Sequence, residues 1–212
     1  MAGGCLQERI RQEERIAPRQ AAEWIAQVAD GLSAAHQAGL IHRAIKPSNI
    51  LLSDKDGSIA KLADFGLARS VSISNNVTQT GVLLGTPSYM SPEHILKPEF
   101  VDARSDIYGL GVTLYETLTG EVPFRGSMHQ VLQRIVSDDP SVPRNFDSNI
   151  PVDLETICLK AMHRDPARRY ASAIELSQDL RRWLTGEAIL VRPTSRQELY
   201  MPQFRFVGLR VD

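Results

Sequence analysis

The run "ADFGLA" places a carboxylate, Asp64, ahead of Phe65 and Gly66. A carboxylate is the hard oxygen ligand that a cation such as Mg²⁺ accepts, and the glycine behind it allows the backbone turn that would aim it. Upstream, "HRAIKPSN" supplies an imidazole (His42), a guanidinium (Arg43), an ammonium (Lys46) and an amide (Asn49). Taken singly, each has a plain alternative. An Asp before Phe-Gly can be a turn residue, a lone Lys a solvated surface group, and a His a satisfied core residue. Their chemistry depends on what brings them together.

The elements that must do so can be read from periodicity. In "APRQAAEWIAQVADGLSAAHQAG", Trp24, Val28 and Leu32 repeat every four residues, with Ile25 and Ala35 widening the stripe. Pro18 suits the first turn of that helix and Gly39 its C-terminal stop. Two β-prone runs follow, "NILL" and "SIAKL", joined by "SDKDG", whose Asp and Gly signal a hairpin turn. Residues 70–90 are rich in Ser, Thr, Asn and Gly and read as a long loop, a length that is usually functional or mobile. "ARSDIYGLGVTLYETLTG" is apolar nearly all round, the pattern of a central buried helix. Three amphipathic segments near 127–137, 152–163 and 171–185 complete a mainly helical unit with one small hairpin near its front.

Composition narrows the function classes. The 212 residues carry a net charge of −1, with 42% hydrophobic and 23% charged residues. That balance suits one globular domain and excludes a strongly basic nucleic-acid binder. The C-terminal arginines are interspersed with acids and read as a solvated helix face. Cys5 and Cys158 make no disulfide framework and fit a reducing compartment, so a soluble, cytoplasmic chain is expected. Cys158, inside the apolar pattern "LETICLKAM", reads as a small core residue. No run approaches the length of a membrane span.

Four motifs occur in fixed order: "HRAIKPSN" at 42–49, "DFG" at 64–66, "GTPSYMSPE" at 85–93 and "DIYGLG" at 106–111. Together they resemble the C-terminal lobe of eukaryotic-like (Hanks-type) serine/threonine protein kinases, in the bacterial branch, over about residues 2–190. The resemblance implies a kinase C-lobe over 1–190, mainly α-helical with a small β-hairpin carrying the catalytic and DFG loops, and a tail at 191–212. It implies ATP and Mg²⁺ as cofactors, with Asp64 and Asn49 as metal ligands and Lys46 neutralising the transferring phosphate. Leu51 corresponds to the floor beneath the adenine, and Phe65 with His42 to stacked residues linking the lobes. Glu93 is expected to pair with Arg169, and Asp106 to hold the catalytic-loop backbone. Thr86 is expected to lie beside the catalytic groups. Arg43 is expected to bind a phosphate on the long loop, with Thr78 and Thr80 as candidate phosphosites; simple loop polarity is the alternative for both threonines.

Two departures qualify the expectation. Where the family pattern has the catalytic Asp, this sequence has Ala44, and a methyl group cannot accept a proton from a substrate hydroxyl. No Gly-rich loop and no strand lysine can be placed before residue 40, and "AGGCLQERI" already resembles the hinge and the helix after it. The N-terminal lobe is therefore expected to be absent. The leading reading is a kinase domain fragment that is inactive as this chain. The alternatives are a pseudokinase-type interaction or scaffold module and a residually active kinase. Rescue by Asp54 or Asp56, in the hairpin turn, is not expected. Ile50, Leu51, Phe65 and part of the first long helix are expected to form an exposed apolar face. That face needs a protein partner, beside any protein substrate, with no nucleic acid and no membrane segment.

Overall fold

The computed structural model describes residues 3–13, 16–53, 58–65 and 87–191. Its helices are α1 (Leu6–Gln12), α2 (Pro18–Gln37), α3 (Pro92–Leu96), α4 (Ala103–Thr119), α5 (Met128–Ser137), α6 (Val152–Ala161) and α7 (Ala173–Thr185). Among the described residues the one sheet pairs β1 (Ile50–Leu52) with β2 (Ala60–Leu62), antiparallel, with Ile50 opposite Leu62 and Leu52 opposite Ala60.

The apolar stripe of α2 becomes its buried face: Trp24, Ile25, Val28 and Leu32 are buried beside Ala21, Ala22, Ala26 and Ala29. The small residues let α7 approach closely, and Ser177 Oγ donates to the Ala26 carbonyl across that contact at 3.2 Å. At its far end α2 stops in a Schellman motif. Gly39 has φ 75°, its N–H donates to the His36 carbonyl at 3.0 Å, and the Leu40 N–H reaches the Ala35 carbonyl at 3.0 Å. A left-handed residue there favours glycine. The stop leaves His36 in the last turn and sends the chain directly into the segment around His42.

Helix α4 is the central post, buried from Ser105 to Leu118. Its buried hydroxyls are satisfied along the helix, Thr113 Oγ1 to the Gly109 carbonyl at 2.9 Å and Thr117 Oγ1 to the Thr113 carbonyl at 2.7 Å. Gly109 is needed for close approach, because a Cβ there would sit 3.0 Å from Ile45 Cβ and 3.2 Å from its carbonyl oxygen. The post is thus pressed against the segment that carries the candidate site. Cys158 is buried in α6, as its apolar surroundings imply, and its thiol contacts the Gly111 carbonyl at 3.5 Å.

The expected apolar face is smaller than the sequence implies. Ile50 and Leu52 are fully buried and Trp24, Ile25, Val28 and Leu32 of α2 are buried too, while Leu51 is half-buried and Phe65 is 39% exposed. Strand alternation explains the correction: residues 50 and 52 share the inward face of β1, which leaves only 51 for the outer one. Among the described residues, no helix is long and apolar enough to cross a membrane.

Candidate active site

Asp106, in the first turn of α4 and 1% exposed, is the anchor of the site. Its carboxylate accepts the backbone N–H of His42 at 2.8 Å, the backbone N–H of Arg43 at 2.6 Å, and His36 Nε2–H at 2.9 Å. A buried carboxylate needs this many donors to remain charged without large loss. The grip holds Arg43 in the left-handed region, φ 63°, where a non-glycine residue is uncommon.

The next residues are held by their side chains. His42 is fully buried, and its Nδ1 accepts the Ala44 N–H at 3.2 Å. The proton of the neutral ring therefore lies on Nε2, which donates to the Ala63 carbonyl at 2.8 Å. The edge of the same ring meets Phe65, with centroids 4.8 Å apart and planes at 71°. Asn49 ends a 3₁₀ turn, Pro47–Asn49, and its Nδ2 donates to the Ala44 carbonyl at 2.9 Å. Ala44 is thus bound at both its N–H and its C=O, and only its methyl is uncommitted.

Asp64 comes to this loop through the hairpin. The Ala63 N–H donates to the Asn49 carbonyl at 2.8 Å, extending the ladder by one step, so that Asp64 is the residue after the one opposite Asn49. Asp64 has φ 64° and is exposed, with no ion pair to another described residue. The donor set suits Mg²⁺. With Asn49 Nδ2 engaged by Ala44, its Oδ1 is left as an oxygen ligand, and Asp64 offers a carboxylate. Magnesium commonly takes one or two protein oxygens and completes its shell with phosphate and water, so a larger acidic cluster is not required. No group of three or more His, Cys, Asp or Glu residues that could hold a metal occurs among the described residues. Lys46 is half-buried on extended backbone just before the 3₁₀ turn. Leu51 lies on β1 facing the N-terminal segment, where it bridges Cys5 while the Leu52 N–H donates to the Gly4 carbonyl at 3.0 Å.

Glu93 and Arg169 are brought together away from these groups. Burial alone would raise the Glu93 carboxyl. Hydrogen bonds and charge from Arg169, with Ser105 Oγ donating at 2.6 Å, more than reverse that and hold it at about 2. Thr78, Thr80, Thr86 and Gly66 lie outside the described residues.

Three contributors escape sequence reasoning. His36 reaches Asp106 across 70 residues, a contact no local pattern marks. Glu116, 7% exposed, accepts from Tyr89 OH at 2.5 Å and from Gln7 Nε2 at 3.2 Å, tying α1 and the turn Pro87–Tyr89 to α4. A lone acid inside the apolar run "GVTLYETLTG" was the available signal, since a buried carboxylate implies donors. His94 is buried beside Glu93.

A small hairpin following a loop gripped by a carboxylate of a central helix, inside a mainly helical unit, is the architecture of the helical lobe of a phosphotransferase fold. The chain belongs to the protein kinase domain family, whose model matches residues 1–180. It is similar to serine/threonine-protein kinase PknB of Mycobacterium leprae (strain TN), 41% identical over 186 residues that cover 87% of this chain and 29% of that protein. It is also similar to serine/threonine-protein kinase PknL of Mycobacterium tuberculosis (strain ATCC 25618 / H37Rv), 42% identical over 205 residues, 96% of this chain and 47% of that one. The chain therefore spans less than half of the length of these relatives. A solved structure of Rad53 1–466 in complex with AMP-PNP superposes with a TM-score of 0.69 at 25% identity, covering 84% of this chain and 43% of that one.

Proposed function

We propose that residues 1–190 are the catalytic-loop lobe of a serine/threonine protein kinase that retains a nucleotide-phosphate and Mg²⁺ site but lacks its base, so that phosphoryl transfer by this chain is absent or severely slowed. The observation that carries the reading is the binding of Ala44 at both its N–H and its C=O, which fixes the loop while presenting only a methyl. In this reading Asn49 and Asp64 hold the metal, which when bound would neutralise the nucleotide's phosphate charge. Lys46 faces the transferring phosphate, and Leu51 lies under the adenine. Nothing at residue 44 orients the acceptor hydroxyl or takes its proton, a contribution worth roughly 10²–10⁴-fold in rate.

A pure interaction module without nucleotide is the weaker reading, because it gives no role to Lys46, Asn49 and Asp64 together. Leu51 and the exposed Phe65 offer a limited apolar surface for a second lobe or partner protein, and Cys5 and Cys158 are both free thiols, in keeping with a cytoplasmic setting. Arg43, exposed at the end of the gripped loop, is assigned to a regulatory phosphate, with Thr78 and Thr80 as its candidate carriers. The test is Mg²⁺-dependent ATP binding by calorimetry and phosphate transfer to a Ser/Thr peptide. Both are run on this chain and on an Ala44→Asp variant joined to a matching N-terminal lobe. Binding and transfer by the completed variant, with no transfer when Ala44 is kept in the same fusion, support the reading. Equal transfer from both fusions refutes it.

A further inference from the structure

Gln27 lies half-buried in α2, between the buried residues Ala26 and Val28. Its carboxamide makes two bonds to the hairpin: Nε2 donates to the Ser58 carbonyl at 3.1 Å, and Oε1 accepts the Ala60 N–H at 2.8 Å. The partners fix the orientation of the amide, since one backbone group is an acceptor and the other a donor. A donor and an acceptor that meet residues i and i+2 of one strand are what the peptide groups of a neighbouring strand would present. Among the described residues no third strand pairs with β2, so a side chain of α2 fills that place.

The bonds within the hairpin explain why those two groups face α2. Ser53 N–H donates to the Ile59 carbonyl at 2.9 Å and Ala63 N–H to the Asn49 carbonyl at 2.8 Å. The odd-numbered residues from 59 to 63 therefore pair with β1, and the even-numbered ones turn their backbone groups outward. A two-stranded hairpin with three residues a side is marginal on its own, so its register needs support from outside. A slip by one residue would turn the Ala60 N–H toward β1 and away from Gln27. The same slip would replace Ala63 as the residue opposite Asn49. Helix α2 thus holds both limbs of the candidate site. Through His36 and Asp106 it holds the loop that leads to Asn49, and through Gln27 the strand that leads to Asp64.

We propose that Gln27 is a positioning residue of the metal site: it sets the register of β2 against β1, and so the place of Asp64 relative to Asn49. This rests on the reading of Asn49 and Asp64 as metal ligands and adds to it the helix residue that fixes their relation.

The experiment compares the full chain, isotope-labelled for NMR, with Gln27→Met, which keeps side-chain length and helix propensity and removes both bonds. Amide exchange at Ala63 reads the register, with the amides of α4 as internal control. Broadening of the Asn49 side-chain amide by Mn²⁺, a paramagnetic stand-in for Mg²⁺ added with ATP, reads the metal site. Exchange at Ala63 is expected to rise about tenfold in Gln27→Met while α4 keeps the parent rates. The Mn²⁺ concentration for half-broadening should also rise about tenfold. A side chain that only stabilised the fold would accelerate both sets of amides and leave the Mn²⁺ affinity of the folded chain unchanged, and that outcome overturns the proposal. Parent-like exchange at Ala63 overturns it too, as does a faster Ala63 with unmoved Mn²⁺ affinity. Gln27→Glu is the second variant. It keeps the acceptor for Ala60 but sets a carboxylate oxygen against the Ser58 carbonyl, so acceleration at Ala63 should appear at about pH 7. It should fade toward about pH 5, where protonation returns an O–H donor. Acceleration that this change of pH leaves unmoved counts against the bond pattern. A parent chain that Mn²⁺ does not broaden removes the metal reading. Gln27 is then judged on Ala63 alone, upheld as the residue that sets the register by selective acceleration and overturned without it.

Discussion

Arg169 and Glu93 meet in a two-pronged ion pair, Nη1 to Oε1 at 2.7 Å and Nη2 to Oε2 at 2.8 Å, with the arginine side chain fully buried. The remaining donors of Arg169 go to the carbonyls of His163 at 2.6 Å, Arg104 at 2.9 Å and Arg164 at 3.1 Å, and its guanidinium lies over the Tyr108 ring, 4.9 Å from the centroid. One residue thereby ties α3, α4 and the turn after α6 into a single block. That block is the base on which the Asp106 anchor stands.

Removing one side of this pair strands a buried charge. Arg169→Ala is expected to lower unfolding stability by about 3–5 kcal/mol, and Glu93→Gln by less because an acceptor oxygen remains. The pair also sets an acid limit. The Glu93 carboxyl is held at about 2 in the fold against an ordinary 4.5. A depressed folded value means the stabilisation is complete above about pH 4.5 and is lost as pH falls toward 2, roughly 3 kcal/mol across that window. Urea unfolding followed between pH 6 and 2 (the range chosen to span the window) should show a shallower loss in Glu93→Gln than in the parent chain. Parallel curves would remove the pair from the acid response.

Asp106→Ala should loosen the candidate site more than the rest of the molecule. It strips the acceptor from the N–H groups of His42 and Arg43 and from His36. Each buried donor left unpaired costs about 1–3 kcal/mol. Amide hydrogen exchange at residues 42–44 should accelerate well beyond that of α7. If both regions accelerate equally, the carboxylate is a general structural support and not the specific anchor of the loop.

Restoring a carboxylate at position 44 should be nearly neutral for folding. Ala44 is half-exposed, and its backbone is already fixed by His42 and Asn49. Ala44→Asp is therefore expected to shift unfolding stability by no more than about 1 kcal/mol, the range of an ordinary surface change. Asn49→Ala is expected to cost more, about 1–3 kcal/mol, because it unpairs the Ala44 carbonyl. Thermal melts of both variants decide this. A strongly destabilised Ala44→Asp would mean that the loop is shaped around the methyl.

These contrasts also show what the sequence could reveal. Helices α2 and α4 were legible because each carries a sustained pattern, a stripe in one and all-round apolarity in the other. The β1–β2 hairpin was legible from two β-prone runs around Asp and Gly. The positions of Lys46, Asn49 and Asp64 came from motif order and not from any local periodicity. The His36–Asp106 bond, the Gln7–Glu116–Tyr89 link and the burial of Ile50 were not legible. The two side-chain links depend on how elements far apart in sequence approach one another, and the burial of Ile50 depends on which face of β1 turns inward. The short helix α3 lies between the stretch read as loop and the first helix expected after it, and its five residues are too few to show a helical period.

The last expectation concerns the segment that leaves α7. Asp179, 2% exposed, accepts from Tyr170 OH at 3.0 Å and from the backbone N–H groups of Leu190 and Val191 at 2.7 and 3.1 Å. Two consecutive N–H groups on one buried carboxylate form a clasp that holds Val191 against the core, while Leu190 stays 68% exposed. Asp179→Ala should release residues 187–191 while α7 itself stays seated on α2 through Leu176 and Leu180. Limited proteolysis should then cut near Glu187–Leu190 at protease levels that leave the parent chain intact there, because cleavage follows the population of the opened segment. Far-ultraviolet circular dichroism should change little. A variant that loses helical signal together with the new cut would show the carboxylate holding α7 as well, and the clasp would then belong to the core itself.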